Sequence, residues 1–332
     1  MKHNIVKFIF GCIAGCGITA ALTSCENGDA TFDDFEGGTT VYFPYQYPVR
    51  TIVLGDDEYD TTLDKEHKCM IMATFGGSYN GSNGTVQVAV DETLVSNLTF
   101  EDGTPVKAMP SNYYNLSTTS LAFNGTFNGA TTVQLTDAFF SDPDAVKNTY
   151  VIPLVMTSQT GFGHILTGEL KEGATGSVRT DESVWEVKPM DYVLYCVKFQ
   201  NKYSGWWLTH GTTSTDNIEK ANAVEITTRS LNSSVYTVEF QDESNIYSVD
   251  LLLTFDGSDN CTISSLTAGA TATGNGSWGD DTEKKAWGNK DRDGMELNYT
   301  VTVDGKQFAK HEKLVWQRSG VTIEEFAPVY NK

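Results

Sequence analysis

Residues Thr85–Val90 read TVQVAV. Val86, Val88 and Val90 would face one way and Thr85, Gln87 and Ala89 the other, which is the period of a half-buried strand. Six further stretches carry the β-branched and aromatic residues that fit a pleated surface. They are YVIPLVM (150–156), YVLYCVKF (192–199), VYTVEF (235–240), VDLLLTF (249–255), MELNYTVTV (295–303) and KLVWQR (313–318). Turn dipeptides separate the strands: Asn83-Gly84, Asp102-Gly103, Asp256-Gly257, Asp293-Gly294 and Asp304-Gly305. A helical turn fits only near DAFFSDPDAVKN (137–148), and no long helical period occurs. The chain reads as all-β.

A polar, Gly/Thr-rich stretch (158–181) interrupts the strands, and a fresh run begins after it. This predicts one β domain over 37–160, a linker over 161–184 and a second β domain over 185–328, each of ordinary domain size.

At the start of the chain, Lys2 and Lys7 precede an uncharged apolar or small stretch, Phe8–Leu22. That is shorter than the ~20 residues that span a bilayer, and it has the length and flanks of a secretory signal. Leu22-Thr23-Ser24-Cys25 resembles a bacterial lipobox. The resemblance implies that residues 1–24 are removed and that Cys25 becomes a lipidated N-terminus. An ordinary signal peptide with an incidental Cys25 is the alternative. Residues 25–36, rich in Asp and Glu among Asn, Gly and Thr, bury little and read as an acidic tether. An acidic stretch after a lipidated Cys resembles the export signal of Bacteroidetes lipoproteins destined for the outer face of the outer membrane. The expected location is the cell surface, with lipid as the only membrane contact.

Without residues 1–24, which hold two basic residues and no acidic ones, 21 basic and 43 acidic side chains remain, a net charge of −22. So acidic a surface argues against nucleic acid, which needs a basic stripe, and against adhesion to anionic lipid. A neutral ligand meets no such repulsion. Of six cysteines, Cys12 and Cys16 leave with the signal and Cys25 carries lipid. Cys69, Cys196 and Cys261 remain, an odd number, so no disulfide framework is expected. Cys196 and Cys261 could pair if their strands are neighbours; otherwise all three read as small buried hydrophobes.

The first half resembles a known family. VYFPYQYPVRTIVLGDDEYDTTLDKEHKCMIMATFGG, PSNYYNL (110–116) and VQLTDAFFSDPDAVKNTYVIPLVMTSQTG look like the N-terminal domain of unknown function common in Bacteroidetes surface lipoproteins. The resemblance implies an immunoglobulin-like β-sandwich, often encoded beside glycan-uptake machinery. The second half resembles the companion domain that often follows. It holds Gly205-Trp206-Trp207 near its start and Arg318 near its end. Lipocalin-like (calycin-like) barrels place a Gly-x-Trp on the first strand and a cation on the last. The resemblance implies that Gly205, Trp207 and Arg318 close an up-and-down barrel, with the guanidinium over the indole.

The five histidines, His3, His67, His164, His210 and His311, are scattered, and neither a Gly-x-Ser-x-Gly nor a His-Glu-x-x-His motif occurs. Acid pairs at 56–58, 280–281 and 291–293 lie in Gly/Asn-rich turns, where solvated charge is the default. NKDRDG (289–294) mimics the opening of a calcium loop through Asn289, Asp291, Asp293 and Gly294. Its twelfth position is Thr300 rather than the bidentate Glu such a loop uses, so it reads as a turn with Asp293-Gly294 at its tip. No enzyme, metal or cofactor is expected. Asp60-Thr61-Thr62 fits a short O-glycosylation motif of this bacterial group.

Six Trp and fifteen Tyr exceed what two modest cores need. A sugar presents flat CH faces and a rim of hydroxyls, so its site combines an aromatic platform with amides and carboxylates. Trp278 and Trp287 stand beside turn residues, Asp280 follows Trp278, and Trp206 must face away from Trp207. These four, Trp206, Trp278, Trp287 and Asp280, are the candidate glycan contacts; burial under a hairpin is the competing reading for each Trp. Trp185, Trp316 and the YFPYQYP cluster (42–48) read as packing. Two functions follow: a surface lipoprotein that holds polysaccharide near a SusC/SusD-like uptake complex, or a structural or adhesive surface subunit without a sugar site. Both require the anchor. Replacing Cys25 by Ala is expected to move the protein from the envelope to the soluble fraction of lysed cells; a variant that still sediments with the envelope refutes the lipid anchor.

Overall fold

A computed structural model describes residues 33–213 and 220–332. Residues 1–24, Cys25 and the tether up to residue 32 lie outside the described residues.

The first unit is a β-sandwich. One sheet runs, in spatial order, His164–Ile165, Thr40–Tyr42, Lys68–Gly76, Asn128–Leu135 and Tyr114–Leu116. The other runs Glu324–Glu325, Pro48–Val53, Tyr192–Gln200, Tyr150–Thr160, Thr85–Val90 and Ser120–Ala122, with Lys107–Ala108 also joined to Tyr150–Thr160. The core lies between them: Val41, Ile71, Ala73 and Val133 meet Ile52, Val86, Ile152, Leu154, Val193 and Val197. Val86 and Val88 point inward, as their alternation predicts, while Val90 is exposed. Tyr150–Met156 reads as an unbroken apolar run because both its faces are covered. Val151 and Val155 face a second cluster, where Leu94, Leu98, Phe100 and Phe326 pack on the outside of the sheet.

Three boundaries differ from expectation. The strand Tyr192–Gln200 does not open the barrel; it lies between Pro48–Val53, to which it is parallel, and Tyr150–Thr160 in the sandwich. Residues 161–184 are not a free linker. His164–Ile165 joins Thr40–Val41, Glu169–Leu170 pairs with Trp185–Val187, and Arg179 grips the buried Asp191 with two nitrogens at 2.9–3.1 Å. The described end of the tether is also docked, through Phe35 N to Gly77 O (2.9 Å) and Tyr79 N to Asp34 Oδ1 (3.2 Å). The units meet instead at buried Asn201. Its Nδ2 donates to Ser230 O (2.8 Å) and Ser233 O (3.0 Å), and its Oδ1 accepts from Tyr203 N (3.1 Å) and Ser204 Oγ (2.8 Å). A strand's composition shows that it pairs, not with which sheet.

The second unit is a closed barrel of eight antiparallel strands in chain order: Gly205–Thr213, Lys220–Ser230, Ser233–Gln241, Ile246–Phe255, Asn260–Ser265, Ala270–Glu283, Arg292–Val303 and Lys306–Arg318. The sixth strand is polar and glycine-rich because its inner positions must be small. A Cβ at Gly274 would stand 2.6 Å from Tyr299 Cβ, and one at Gly276 2.6 Å from Leu297 Cδ2. Asp293-Gly294 is not a turn tip; it lies within Arg292–Val303, with Gly294 opposite Gly279, and the turn falls earlier, in the hairpin loop between Glu283 and Arg292.

Both barrel ends are plugged. At the end facing the sandwich, Tyr203 stacks on Phe255 (centroids 3.7 Å apart) beside Trp207 and Trp316. At the far end Phe240 stacks on Phe308 (5.0 Å) with Tyr247 against it. Closure joins the first strand to the last, Trp207 opposite Trp316 and Trp206 opposite Arg318. Arg318 packs over Trp206 (5.5 Å to the ring centroid), not over Trp207, whose indole is 0% exposed inside the barrel. The expectation named the wrong indole because neighbours on a strand face opposite sides. Cys196 and Cys261 do not pair. One lies in the sandwich and one in the barrel, and burial pushes all three remaining thiols, Cys69 included, up to about 12.

Gly205 adopts φ +124°, and a Cβ there would stand 2.7 Å from Arg318 O. Gly205→Ala is expected to lower unfolding free energy by roughly 1–3 kcal/mol, read by urea denaturation. Gly257→Ala, with nothing within 4 Å, should stay within about 0.5 kcal/mol. Equal effects at the two sites refute closure at Gly205.

Candidate functional site

The two units form a cleft of ≈ 410 Å³ where the sandwich loop after Pro48–Val53 meets the barrel loop before Arg292–Val303. The sandwich side is set by Asp64, buried in the short helix Thr62–Lys65. Its carboxylate accepts from Val53 N (2.9 Å) and pairs with Arg50, which ties the loop back to its own strand. Gly55 comes close to Lys202, where a Cβ would lie 3.1 Å from Cα. Tyr59, at the loop tip, is 76% exposed. Asp60 Oδ1 accepts from Thr62 N (2.9 Å) and Thr62 Oγ1 (2.6 Å), which holds its carboxyl below the ordinary range. Asp56 pairs with Lys65 at 2.5 Å. Asp57 accepts from Ser319 Oγ at 2.5 Å, a bond across the two units.

On the barrel side, Lys284 Nζ and Lys285 N each lie 3.0 Å from Asp291 and lower its pKa. The Arg292 guanidinium lies 5.6 Å from the Trp316 ring centroid. A bulge between Gly279 and Glu283 places Asp281 at φ +49° and re-aims the chain, as such insertions do. Asp281 thereby approaches Asp293 and the sandwich's Asp56; ligand oxygens of all three lie within 4.8 Å of one another. Among the described residues these are the carboxylates that could hold a cation. The calcium-like spacing of Asn289, Asp291 and Asp293 is not what gathers them. Only Asp293 is shared, and its partners come from elsewhere in the chain.

The sequence-derived contacts do not converge on one platform. Trp206 lies beneath Arg318. Trp278 is half-buried, with Lys202 Nζ 4.0 Å from its ring centroid, Tyr203 edge-on at 5.8 Å, and a buried Nε1 that has no hydrogen-bond partner. Asp280 is exposed on the bulge beside Asp281. Trp287 begins the short 3-10 turn Trp287–Asn289, next to the cleft residues Lys290–Asp293; its side chain lies outside the described residues. Trp185 and Trp316 are core. Among the described side chains Tyr59 is the exposed ring at the cleft, and an isolated Tyr among acids carries no strand or motif signal in the sequence. Thr61 of the O-glycosylation motif is buried and donates to Gly55 O (3.2 Å), so its hydroxyl is not accessible in the fold.

Asp293 is 4% exposed. Burial pushes its carboxyl up to about 6, and the charges of Asp56, Asp280 and Asp281 add to this; the Asp281 N–H at 3.1 Å opposes it. The fold therefore holds this proton more tightly than the unfolded chain does. The associated stability is full below the unfolded pKa of ~3.9 and is lost as pH rises through about 6. Asp293→Asn is expected to raise Tm by about 2 °C or more near pH 7.5, a gain that fades toward pH ~4. Thermal melts across this range check it; a variant less stable at both ends refutes the repulsion.

A family model described as an N-terminal domain matches residues 35–163, and a model described as a domain of unknown function (DUF5627) matches residues 202–320. The second match nearly coincides with the barrel. No curated protein matches the chain. A crystal structure of a Bacteroides ovatus protein of unknown function is 33% identical, covers 90% of this chain and 100% of its own, and superposes with a TM-score of 0.81. A B. ovatus multidomain protein including DUF1735 is 9% identical over 86% of this chain and 99% of its own, with a TM-score of 0.37, too low to bear on the fold. Sandwich, barrel and junction are thus shared along nearly the whole length of a relative, and the chain belongs to this Bacteroides family of two-domain proteins of unknown function, an N-terminal β-sandwich followed by a DUF5627 barrel.

Proposed function

We propose that the protein is a non-catalytic lipoprotein of the outer cell surface that binds polysaccharide for a Sus-like uptake system, with the sugar seated in the interdomain cleft. The observation that carries this reading is the cleft itself. An exposed ring, Tyr59, stands among carboxylates and cations whose positions are held by neighbouring hydrogen bonds. Clefts at domain junctions are common ligand sites. Fixed acceptors on Asp56, Asp60 and Asp291 and donors on Lys65, Lys290 and Arg292 suit hydroxyls, which both donate and accept. The net charge of −22 leaves a neutral glycan free to approach. Lipid at Cys25 would hold the cleft at the membrane surface, since buried chain carbon contributes ~0.8 kcal/mol per CH₂.

A structural or adhesive subunit without a sugar site is the second reading. The cations over Trp206 and Trp278 favour it, because they make those indoles part of the packing.

Calorimetric titration of the mature protein with a panel of neutral polysaccharides separates the two. One glycan is expected to bind, and Tyr59→Ala to weaken it tenfold or more, as for a central aromatic contributing ~2 kcal/mol. No binding across the panel, or binding indifferent to Tyr59, leaves the structural subunit standing.

A further inference from the structure

The barrel wall is incomplete between its second and third strands. Lys220–Ser230 and Ser233–Gln241 pair from Ser230–Ser233 up to Ile226–Tyr236, and among the described residues the ladder stops there. Beyond that point Asn222–Val224 and Thr237–Glu239 border a cavity of ≈ 410 Å³ that enters the barrel from the side. Both barrel ends are plugged by aromatic stacks.

At the back of this slot is a carboxylate. Glu312 is 1% exposed. Its Oε1 accepts from Tyr299 Oη at 2.6 Å, and Lys310 Nζ stands 2.8 Å from its Oε2, which makes no other contact of hydrogen-bond geometry. Gly211 leaves room for it: a Cβ there would stand 2.6 Å from Glu312 Cβ. Tyr236 lines the slot from the third strand, and Thr209 Oγ1 lies 3.3 Å from Asn222 O. A buried charge normally needs full compensation. Here the Lys310 ammonium and the Tyr299 phenol supply it, and the Tyr236 hydroxyl on the third strand also interacts with the carboxylate.

We propose that this lateral slot is a second binding site, separate from the interdomain cleft, for a small neutral polyol such as a single pyranose ring. The charges of Glu312 and Lys310 cancel, so the slot selects no net charge. It offers acceptors on Glu312, donors on Lys310, the Tyr236 hydroxyl, and Thr209 Oγ1 as an acceptor, its proton going to Asn222 O. Vicinal hydroxyls match such a mixture, and the apolar walls of Val224 and Val238 suit the CH face of a ring. The volume lies at the small end of ligand pockets, enough for a small molecule and not for a long chain.

Saturation-transfer NMR and calorimetry on the mature protein test this, with D-glucose, D-galactose, D-mannose and N-acetyl-D-glucosamine as the probes, each at roughly 10 mM, where a weak single-sugar site is still occupied. At least one is expected to bind. Glu312→Gln should weaken it about tenfold or more, the loss when a hydrogen bond to a charged group goes. Asn222→Trp, at an exposed position on the rim, should abolish it without disturbing the buried cluster. Tyr59→Ala should leave it unchanged, which separates this site from the cleft. No binding by any of the four probes, or binding that survives Asn222→Trp in a folded protein, overturns the proposal.

Discussion

An up-and-down meander satisfies its backbone only by closing on itself, and eight strands return the chain to the end where it began. Pairing of Gly205–Thr213 with Lys306–Arg318 therefore places entry and exit side by side. The rest of the architecture depends on this. The strand Tyr192–Gln200 leads into the barrel from the middle of a sandwich sheet, and the segment after Arg318 returns to the same sheet's edge through Glu324–Glu325. Val329–Tyr330 then pairs with Leu98–Thr99. The sandwich holds the chain on both sides of the barrel, where it enters and where it leaves, so the two units share one connected frame.

The same parity decides which loops meet. The hairpins at Ser230–Ser233, Phe255–Asn260 and Glu283–Arg292 all lie at the sandwich end, where Asn201, Lys202 and Asp56 contact them in turn. Cations fill this junction. Lys202 pairs with Asp259 and covers Trp278, while Arg318 covers Trp206. Cation–π contacts of this kind contribute about 0.5–2 kcal/mol each, and they use indoles that would otherwise be open to solvent.

The acidity of the chain is unevenly compensated. Most carboxylates in turns are held by nearby N–H groups or by lysines, as at Asp60, Asp256 and Asp291. Asp293 accepts from Asp281 N but is also buried beside like charges from both units. Glu312 is the contrasting case, a buried carboxylate compensated inside the barrel.

Local chemistry made the strands legible. Val86 and Val88 face the core as their alternation requires, and Tyr150–Met156 is buried on both sides as its unbroken apolar run implies. Gly205, Trp207 and Arg318 stand at the barrel seam, although the guanidinium chose Trp206. The cleft's lining was only partly legible: the acid pairs at 56–58 and 291–293 border it, and Asp280 and Trp287 lie on loops beside it, whereas Tyr59 carried no pattern in the sequence. Where Tyr192–Gln200 pairs, how Asp56 meets Asp293 and how Glu312 comes to lie inside a barrel were decided by tertiary structure alone. The physical reason is range. Side-chain period and turn preference act over a few residues and are written in the sequence, whereas strand partners and convergent carboxylates depend on contacts between segments far apart in the chain.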